Sequence, residues 1–216
     1  MVFLHQWDRD YDRLVADSAA RSTTSDHHAE SVANAIEPSP QRHALALSAE
    51  RWAAEPIRYD PAYVPLTYPG GDVPLDTGVC TDLVIRAYRD VDVDLQTLVH
   101  RDMLIDFGEY PQLWGVDGPD ASIDHRRVPN LMVYFARQGR VLPISAVADD
   151  YRPGDVVAWN LGLGMTHIGI VSTRRDPSNG HPLVAHHVGG HPAVDDVLFR
   201  WPIIGRFALG DGVPDA

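Results

Sequence analysis

The sequence contains no lysine and only one cysteine, and it carries little positive charge. Its 18 basic residues are all arginine, and 30 acidic residues outnumber them, so the formal net charge is −12. Binding to nucleic acid needs a surplus of basic groups that meet the phosphates, so we do not expect nucleic acid as a partner. A single cysteine cannot form an internal disulfide, so the cysteine content does not identify the redox compartment.

Long apolar runs are also absent from the sequence. No run approaches the roughly 20 apolar residues that a membrane-spanning helix needs, so we expect no membrane span. Residues 1–8 lack a basic region followed by a long apolar stretch, so no signal peptide is visible. If the protein acts outside the cytosol, either its leader has been removed or a secretion system exports it.

The length of 216 residues is enough for one domain with a sizeable core. We divide the chain into a polar, partly mobile N-terminal extension at residues 1–39, a main domain at 40–210 and a tail at 211–216. Asp26, His27 and His28 in the extension could bind a metal, but solvated loop residues are the better interpretation of that polar cluster.

The apolar pattern changes its period along the main domain. Helical spacing is found at residues 41–54, after Cys80, at 95–107 and at 129–139. Short extended segments are predicted at residues 57–59, 156–159, 166–172, 183–188 and 203–209. Because the helices come first and an antiparallel meander follows, we expect an α+β fold with a sheet of about four to six strands.

Cys80 lies between a polar turn at residues 76–78 and a helical pattern, so we expect it at or near a helix N-terminus. The free N–H groups and the dipole at such a position favour a thiolate, which is the nucleophilic form of cysteine. Most lone cysteines are instead buried and inert. This stretch alone leaves both interpretations open.

A cysteine nucleophile needs a base and a third polar group that orients the base. His167 lies on one predicted strand, and His186 and His187 lie on the next. If these strands pair, His167 and one of the other two share a face, because neighbouring residues of a strand point to opposite sides. The helix that begins near Cys80 would then pack against that face, and Gly169 would leave room beside the imidazole of His167.

Five segments together resemble the bacterial family catalogued as domain of unknown function 1287, over about residues 42–208. They are residues 68–71, 78–84, 123–131, 153–157 and 167–171. That family is grouped with papain-like cysteine peptidases and is similar to the NlpC-type hydrolases of bacterial cell walls. The resemblance implies a papain-like (NlpC-like) α+β fold, with N-terminal helices packed on an antiparallel sheet, and a hydrolase without a cofactor.

Carried over residue by residue, the resemblance makes Cys80 the nucleophile, His167 the base and His186 the orienter, with His187 as the alternative. Tyr68 stands where NlpC-type enzymes place a tyrosine whose hydroxyl helps the oxyanion site. The sequence departs from the NlpC pattern on both sides of the nucleophile, at Val79, Thr81 and Asp82. We therefore add Asp82 to the candidate substrate-contacting residues.

The block Asp124, His125, Arg126 and Arg127 has no counterpart in the NlpC pattern, and we count it among the candidate substrate residues. Asp124 suits the N-cap of the helix that follows. Arg126 or Arg127 could hold a substrate carboxylate, such as the end of a murein stem peptide, through a bidentate contact. We favour the alternative, an internal ion pair with one of the 30 acidic residues.

The resemblance implies an amidase or endopeptidase that cleaves an amide of a peptidoglycan stem peptide or cross-link, in the periplasm or cell wall. A secreted antibacterial effector with an immunity protein in the producer would fit this activity. Two other hypotheses stay open. One is a zinc hydrolase, and the other is a non-catalytic wall-binding or protein-binding module on the same fold. The zinc ligands would come from His181, His186, His187, His191, Asp195 and Asp196.

Overall fold

A computed structural model of the protein describes residues 39–209. The helices are α1 (Pro40–Ala53), α2 (Cys80–Arg89), α3 (Leu95–Asp106) and α4 (Val128–Arg137). The strands are β1 (Arg58–Tyr59), β2 (Thr77–Gly78), β3 (Val156–Gly162), β4 (Met165–Arg175), β5 (Pro182–His186), β6 (Ala193–Asp195) and β7 (Ile203–Phe207). The α+β class predicted from the sequence is confirmed. The predictions for the extension, including Asp26, His27 and His28, and for the tail fall on residues outside the described range.

The predicted helices are found within two residues of their expected bounds. Helix α1 begins at Pro40, whose fixed φ suits a first helical position, and the side chain of Ser39 accepts a hydrogen bond from the N–H of Arg42. Its buried face includes Leu45 and Ala49, four residues apart as the helical period requires. No helix within residues 39–209 is both long and apolar enough to cross a membrane.

Five strands form one antiparallel sheet in the order β6-β5-β4-β3-β7. The sequence predicted four of them and missed β6, because three residues are too few to show an alternating pattern. It also missed β2, which pairs in parallel with β1 and places Gly78 beside Tyr59. This two-stranded ladder leads the chain directly into Cys80.

The two faces of the large sheet are covered by different parts of the chain. Ile168, Ile170 and Ala185 lie in one apolar cluster with residues of helices α1, α2 and α4. The opposite face carries Val157, Trp159, Val171 and Val184, which pack with Tyr151, Val197 and Leu198 from the neighbouring loops. The sheet is therefore buried on both sides, and helix α2 contacts only one of them.

The turn before β3 is tied to the helical layer by Asp155. This buried carboxylate forms ion pairs with Arg42 of α1 and with Arg206 of β7. Gly154 precedes it with φ +85°, and a Cβ there would lie 2.3 Å from the carbonyl oxygen of Arg42. Only glycine fits this close approach of turn and helix.

The expectation that Asp124 caps helix α4 is wrong. The helix begins at Val128 with Pro129 in its first turn, and Arg127 occupies the N-cap position. Asp124 instead opens a short 3₁₀ turn, Asp124–Arg126. Its carboxylate accepts the N–H of Asp120 and pairs with Arg127, so the aspartate closes the loop that precedes the helix.

Candidate active site

Cys80 is the first residue of helix α2, as the sequence predicted. The preceding residue, Val79, has extended backbone angles and stands at the N-cap. Its N–H donates to the carboxylate of Asp82 over 2.7 Å, which satisfies a backbone group that the start of a helix otherwise leaves free. The side chain of Asp82 thus holds the chain in the turn that presents Cys80.

The expectation of a readily formed thiolate at Cys80 is wrong for this structure. Burial raises the pKa of the thiol from its ordinary value of 9.0 to about 12, and the charge of Asp82 acts in the same direction. The backbone N–H groups of Ile168, Thr81 and Cys80 itself lower the pKa, since these dipoles stabilise the thiolate, but burial outweighs them. At neutral pH the sulfur therefore carries its proton.

His167 and His186 form a direct contact across strands β4 and β5. The Nε2 atom of His167 lies 3.0 Å from the Nδ1 atom of His186, and both side chains are buried. The register explains the contact, because Gly169 pairs with His186 and its missing side chain leaves the space that the two rings share. The imidazole that meets His167 is therefore His186. His187 points to the other side, where its ring packs edge-on against Tyr59 at 5.1 Å.

The expectation that helix α2 packs against the face that bears the histidines is wrong. The ring of His167 stacks on Trp159 at a centroid distance of 5.4 Å, and Trp159 belongs to the face opposite the helices. The sulfur of Cys80 approaches the sheet at a different point. The β4–β5 ladder stops at Gly169 and His186, one residue short of Ile168, and the N–H of Ile168 stabilises the sulfur. The thiol of Cys80 therefore lies beside the backbone N–H of Ile168, the residue that follows His167.

The imidazole of His167 is neutral at physiological pH. Burial, followed by the charges of His186 and His187, lowers its pKa from 6.5 to about 3. Its Nε2 is engaged by His186, so Nδ1 is the nitrogen left to accept a proton. A neutral ring with one free nitrogen is the form that can accept a proton.

The Asp-His-Arg-Arg block stabilises the start of the cysteine helix. Arg126 donates to both carboxylate oxygens of Asp82, over 2.8 and 3.0 Å, and both side chains are buried. Thr81 donates its hydroxyl hydrogen to the carbonyl of Arg126 over 3.0 Å. The internal ion pair that we favoured is therefore present. Arg126 and Asp82 are thus engaged with each other.

The remaining members of the block are also held inside the protein. Arg127 pairs with Asp124 at 3.2 Å, and its guanidinium lies 3.9 Å from the ring centre of Trp114. His125 is buried, and burial lowers its pKa to about 4 against the opposing effect of Asp82. The contacts of the block are therefore internal ones that hold the start of α2 and the loop before α4, and its role as a substrate contact stays a prediction.

Comparison with known proteins agrees with the segments that carry the resemblance. Residues 46–209 match the family described as Domain of unknown function (DUF1287). The chain belongs to this family. It is also similar to "Uncharacterized protein YijF" of Escherichia coli (strain K12), with 51% identity over 166 residues that cover 76% of this chain and 80% of that protein. No solved structure matches the chain. The predicted family membership is confirmed, and the similarity to NlpC-type enzymes stays a prediction.

Within residues 39–209, the charge of Cys80 affects the pKa of Tyr59. The half-exposed ring of Tyr68 packs against His100 at 5.0 Å, and within residues 39–209 it makes no hydrogen bond or ring contact with Cys80 or the histidine pair. Tyr59 lies beside Gly78, and burial, followed by the charges of Cys80 and Asp82, raises its pKa. The sequence showed only that Tyr59 ends a short extended segment.

The histidines of the zinc hypothesis face four separate partners. His181 lies 3.4 Å from Asp196 and His186 lies 3.7 Å from Asp195. His187 and His191 approach backbone carbonyl oxygens, those of Gly190 and Ile57. In the part of the chain that the structure describes, no three His, Cys, Asp or Glu side chains converge as a metal site would require.

Proposed function

We propose that the protein is a cysteine hydrolase that cleaves an amide bond in bacterial peptidoglycan, on a papain-like (NlpC-like) fold. Cys80 is the nucleophile, His167 the base and His186 the residue that orients the base. One observation carries the proposal: a neutral His167, held by His186, directly precedes the residue whose N–H meets the sulfur of Cys80. A nucleophile, a base and an orienting group in this order are the recurring parts of acyl-transfer sites.

In the proposed reaction the proton of the Cys80 thiol moves to Nδ1 of His167 as the sulfur attacks the carbonyl carbon of the amide. The resulting oxyanion is stabilised by backbone N–H groups at the start of α2. The intermediate then expels the amine, which takes the proton from His167, and an acyl-enzyme remains. Water, deprotonated by the same nitrogen, hydrolyses the thioester and restores the thiol.

The pKa values favour proton transfer within the reaction over a preformed ion pair. Burial raises the pKa of Cys80 to about 12 and lowers that of His167 to about 3, so both groups are neutral before substrate arrives. The thiolate then forms when the bound amide and the backbone N–H groups can stabilise the charge of the transition state. A neutral pair is stable in a buried site, whereas an isolated charge would not be.

The peptidoglycan substrate and the place of action rest on the family resemblance alone. Purified sacculi incubated with the full chain should release muropeptides that carry a newly freed amine and carboxylate, as mass spectrometry would detect. Directing the chain to the periplasm of a test bacterium should cause lysis, while the cytosolic form should be harmless. Lysis only in the periplasm supports an effector with an immunity protein in the producer. Equal harmlessness in both compartments contradicts that role.

The chemistry is tested separately by substitution of the nucleophile and the base. Cys80→Ala and His167→Ala should each remove nearly all activity, and the double variant should be hardly worse, because the two residues act as one unit. A chelator should have no effect. Wild-type activity in Cys80→Ala would exclude cysteine catalysis. A folded protein that binds sacculi without changing the muropeptide profile would favour the binding-module hypothesis.

A further inference from the structure

We propose that Asp195 is a positioning residue that selects the proton arrangement of the His167–His186 pair, an inference that rests on the proposed function. Asp195 ends β6, the strand next to β5. Its Oδ2 atom lies 3.7 Å from Nε2 of His186, a buried side chain. Within residues 39–209 this Nε2 atom has no hydrogen-bond partner, so Asp195 is the acceptor that faces it.

The role of His167 as a base determines which ring nitrogens of His167 and His186 carry hydrogen. To accept a proton from Cys80, Nδ1 of His167 must present a lone pair, so Nε2 of His167 carries the hydrogen. That hydrogen is donated to Nδ1 of His186, over 3.0 Å, which must then be the unprotonated nitrogen of its ring. The hydrogen of His186 therefore lies on Nε2, the atom that points toward Asp195.

The opposite arrangement would disable the base. With its hydrogen on Nδ1, His186 would donate to Nε2 of His167 and force the other hydrogen of that ring onto Nδ1, the nitrogen that must stay unprotonated to accept a proton. A carboxylate beside Nε2 of His186 favours the productive arrangement, because it accepts a hydrogen there and repels a lone pair. An orienting carboxylate has this effect on the histidine of other hydrolases.

The separation of 3.7 Å is longer than a hydrogen bond, but the position of Asp195 allows it to shorten. The side chain of Asp195 is 59% exposed at the edge of the sheet, so its carboxylate can turn without disturbing the core. Burial lowers the pKa of His186, and His187 and Arg200 act in the same direction against Asp195. His186 is thus neutral, and Asp195 acts by orienting a neutral N–H group.

Asp196 provides the matched control. It is the next residue and carries the same charge, but it faces His181 at 3.4 Å and accepts a hydrogen bond from Asn179 over 2.7 Å. Asp196→Ala changes the net charge by the same amount as Asp195→Ala but leaves the surroundings of the His167–His186 pair unchanged. Long-range ¹⁵N–¹H spectra of the full chain labelled at histidine show which ring nitrogen carries hydrogen, and His186→Asn assigns the signals.

In the wild type, His186 should carry its hydrogen on Nε2. Asp195→Ala should shift the population toward Nδ1–H and lower kcat by about tenfold to a hundredfold with little change in KM, the range seen for carboxylates that orient metal-bound histidines. Asp195→Glu should keep the wild-type tautomer and a kcat close to that of the wild type. Asp196→Ala should change neither the tautomer nor kcat. If Asp195→Ala does not fold, Asp195→Ser is the second variant.

A wild-type His186 with hydrogen on Nδ1 would overturn the inference. So would an unchanged tautomer or an unchanged kcat in the Asp195 variants. The spectra need no substrate, so they decide the role of Asp195 even if sacculi are not cleaved. Full activity in Cys80→Ala would overturn the proposed function but leave the tautomer result standing.

Discussion

Arg126 binds both carboxylate oxygens of Asp82 inside the protein, although the two residues are 44 positions apart in the chain. Asp82 in turn accepts the N–H of Val79, the residue before Cys80. The aspartate is needed to hold the turn, but its charge raises the pKa of the thiol. The guanidinium of Arg126 pairs with that charge, so the buried carboxylate that holds the turn is not left unpaired.

Replacing Arg126 should therefore destabilise the protein strongly. Arg126→Met leaves the carboxylate of Asp82 buried and unpaired, which costs about 3–5 kcal/mol of unfolding free energy. Urea unfolding measures the loss. Arg58→Met is the matched control, because Arg58 forms an exposed ion pair with Asp60 at 3.1 Å, and its loss should change stability little. Equal effects of the two substitutions would contradict the stabilising role of the Asp82–Arg126 ion pair.

The rate at which iodoacetamide modifies Cys80 should report the raised pKa. With a pKa of about 12, the thiolate fraction of the folded protein rises about tenfold per pH unit between pH 6 and 9, without a plateau. The same chain unfolded in urea should level off near the ordinary value of 9.0. A plateau near neutral pH in the folded protein would reveal a preformed thiolate–imidazolium pair instead.

Gly169→Ala should separate the histidine pair. A Cβ at this position would lie 2.8 Å from the carbonyl oxygen of Ala185 and 2.9 Å from Cγ1 of Val184, so β5 must move and take His186 with it. A displacement of about 1 Å in a catalytic site costs about a hundredfold in rate. Gly108→Ala is the control, because an added Cβ there meets open space. Full activity on sacculi in Gly169→Ala would contradict the requirement for the pair.

Acid should destabilise the protein partly through His125. Its pKa is about 4 in the folded protein and 6.5 ordinarily, so the unfolded chain takes up a proton first as the pH falls. The stability that His125 contributes is complete above pH 6.5 and is lost as the pH falls through about 4. One pKa unit corresponds to about 1.4 kcal/mol, so the total is about 3 kcal/mol.

His125→Gln should remove this share of the pH dependence. Unfolding free energies from urea titrations at pH 7, 5.5 and 4.5 would then fall less steeply in the variant than in the wild type. His167, whose pKa is about 3, adds a similar slope that the variant retains. Parallel curves for the two proteins would show that His125 is not held neutral by burial.

The local pattern of the sequence determined most of the secondary structure and the candidate nucleophile. Helical spacing and breakers predicted α1 to α4, and the position of Cys80 at a helix start was confirmed. His167 was placed correctly on a strand that pairs with the strand of His186. These features depend on residues close together in the chain, where the periods of helix and strand are directly visible.

The tertiary structure decided which of these residues meet. Arg126 had 30 acidic residues as candidate partners, and only the packing of the Asp124–Arg126 turn against α2 selected Asp82. The β4–β5 register selected His186 over His187. Burial raised the pKa of Cys80, where the helix position alone predicts a lower value. Ion-pair partners, strand register and burial depend on contacts between distant segments, so no local pattern of the sequence contains them.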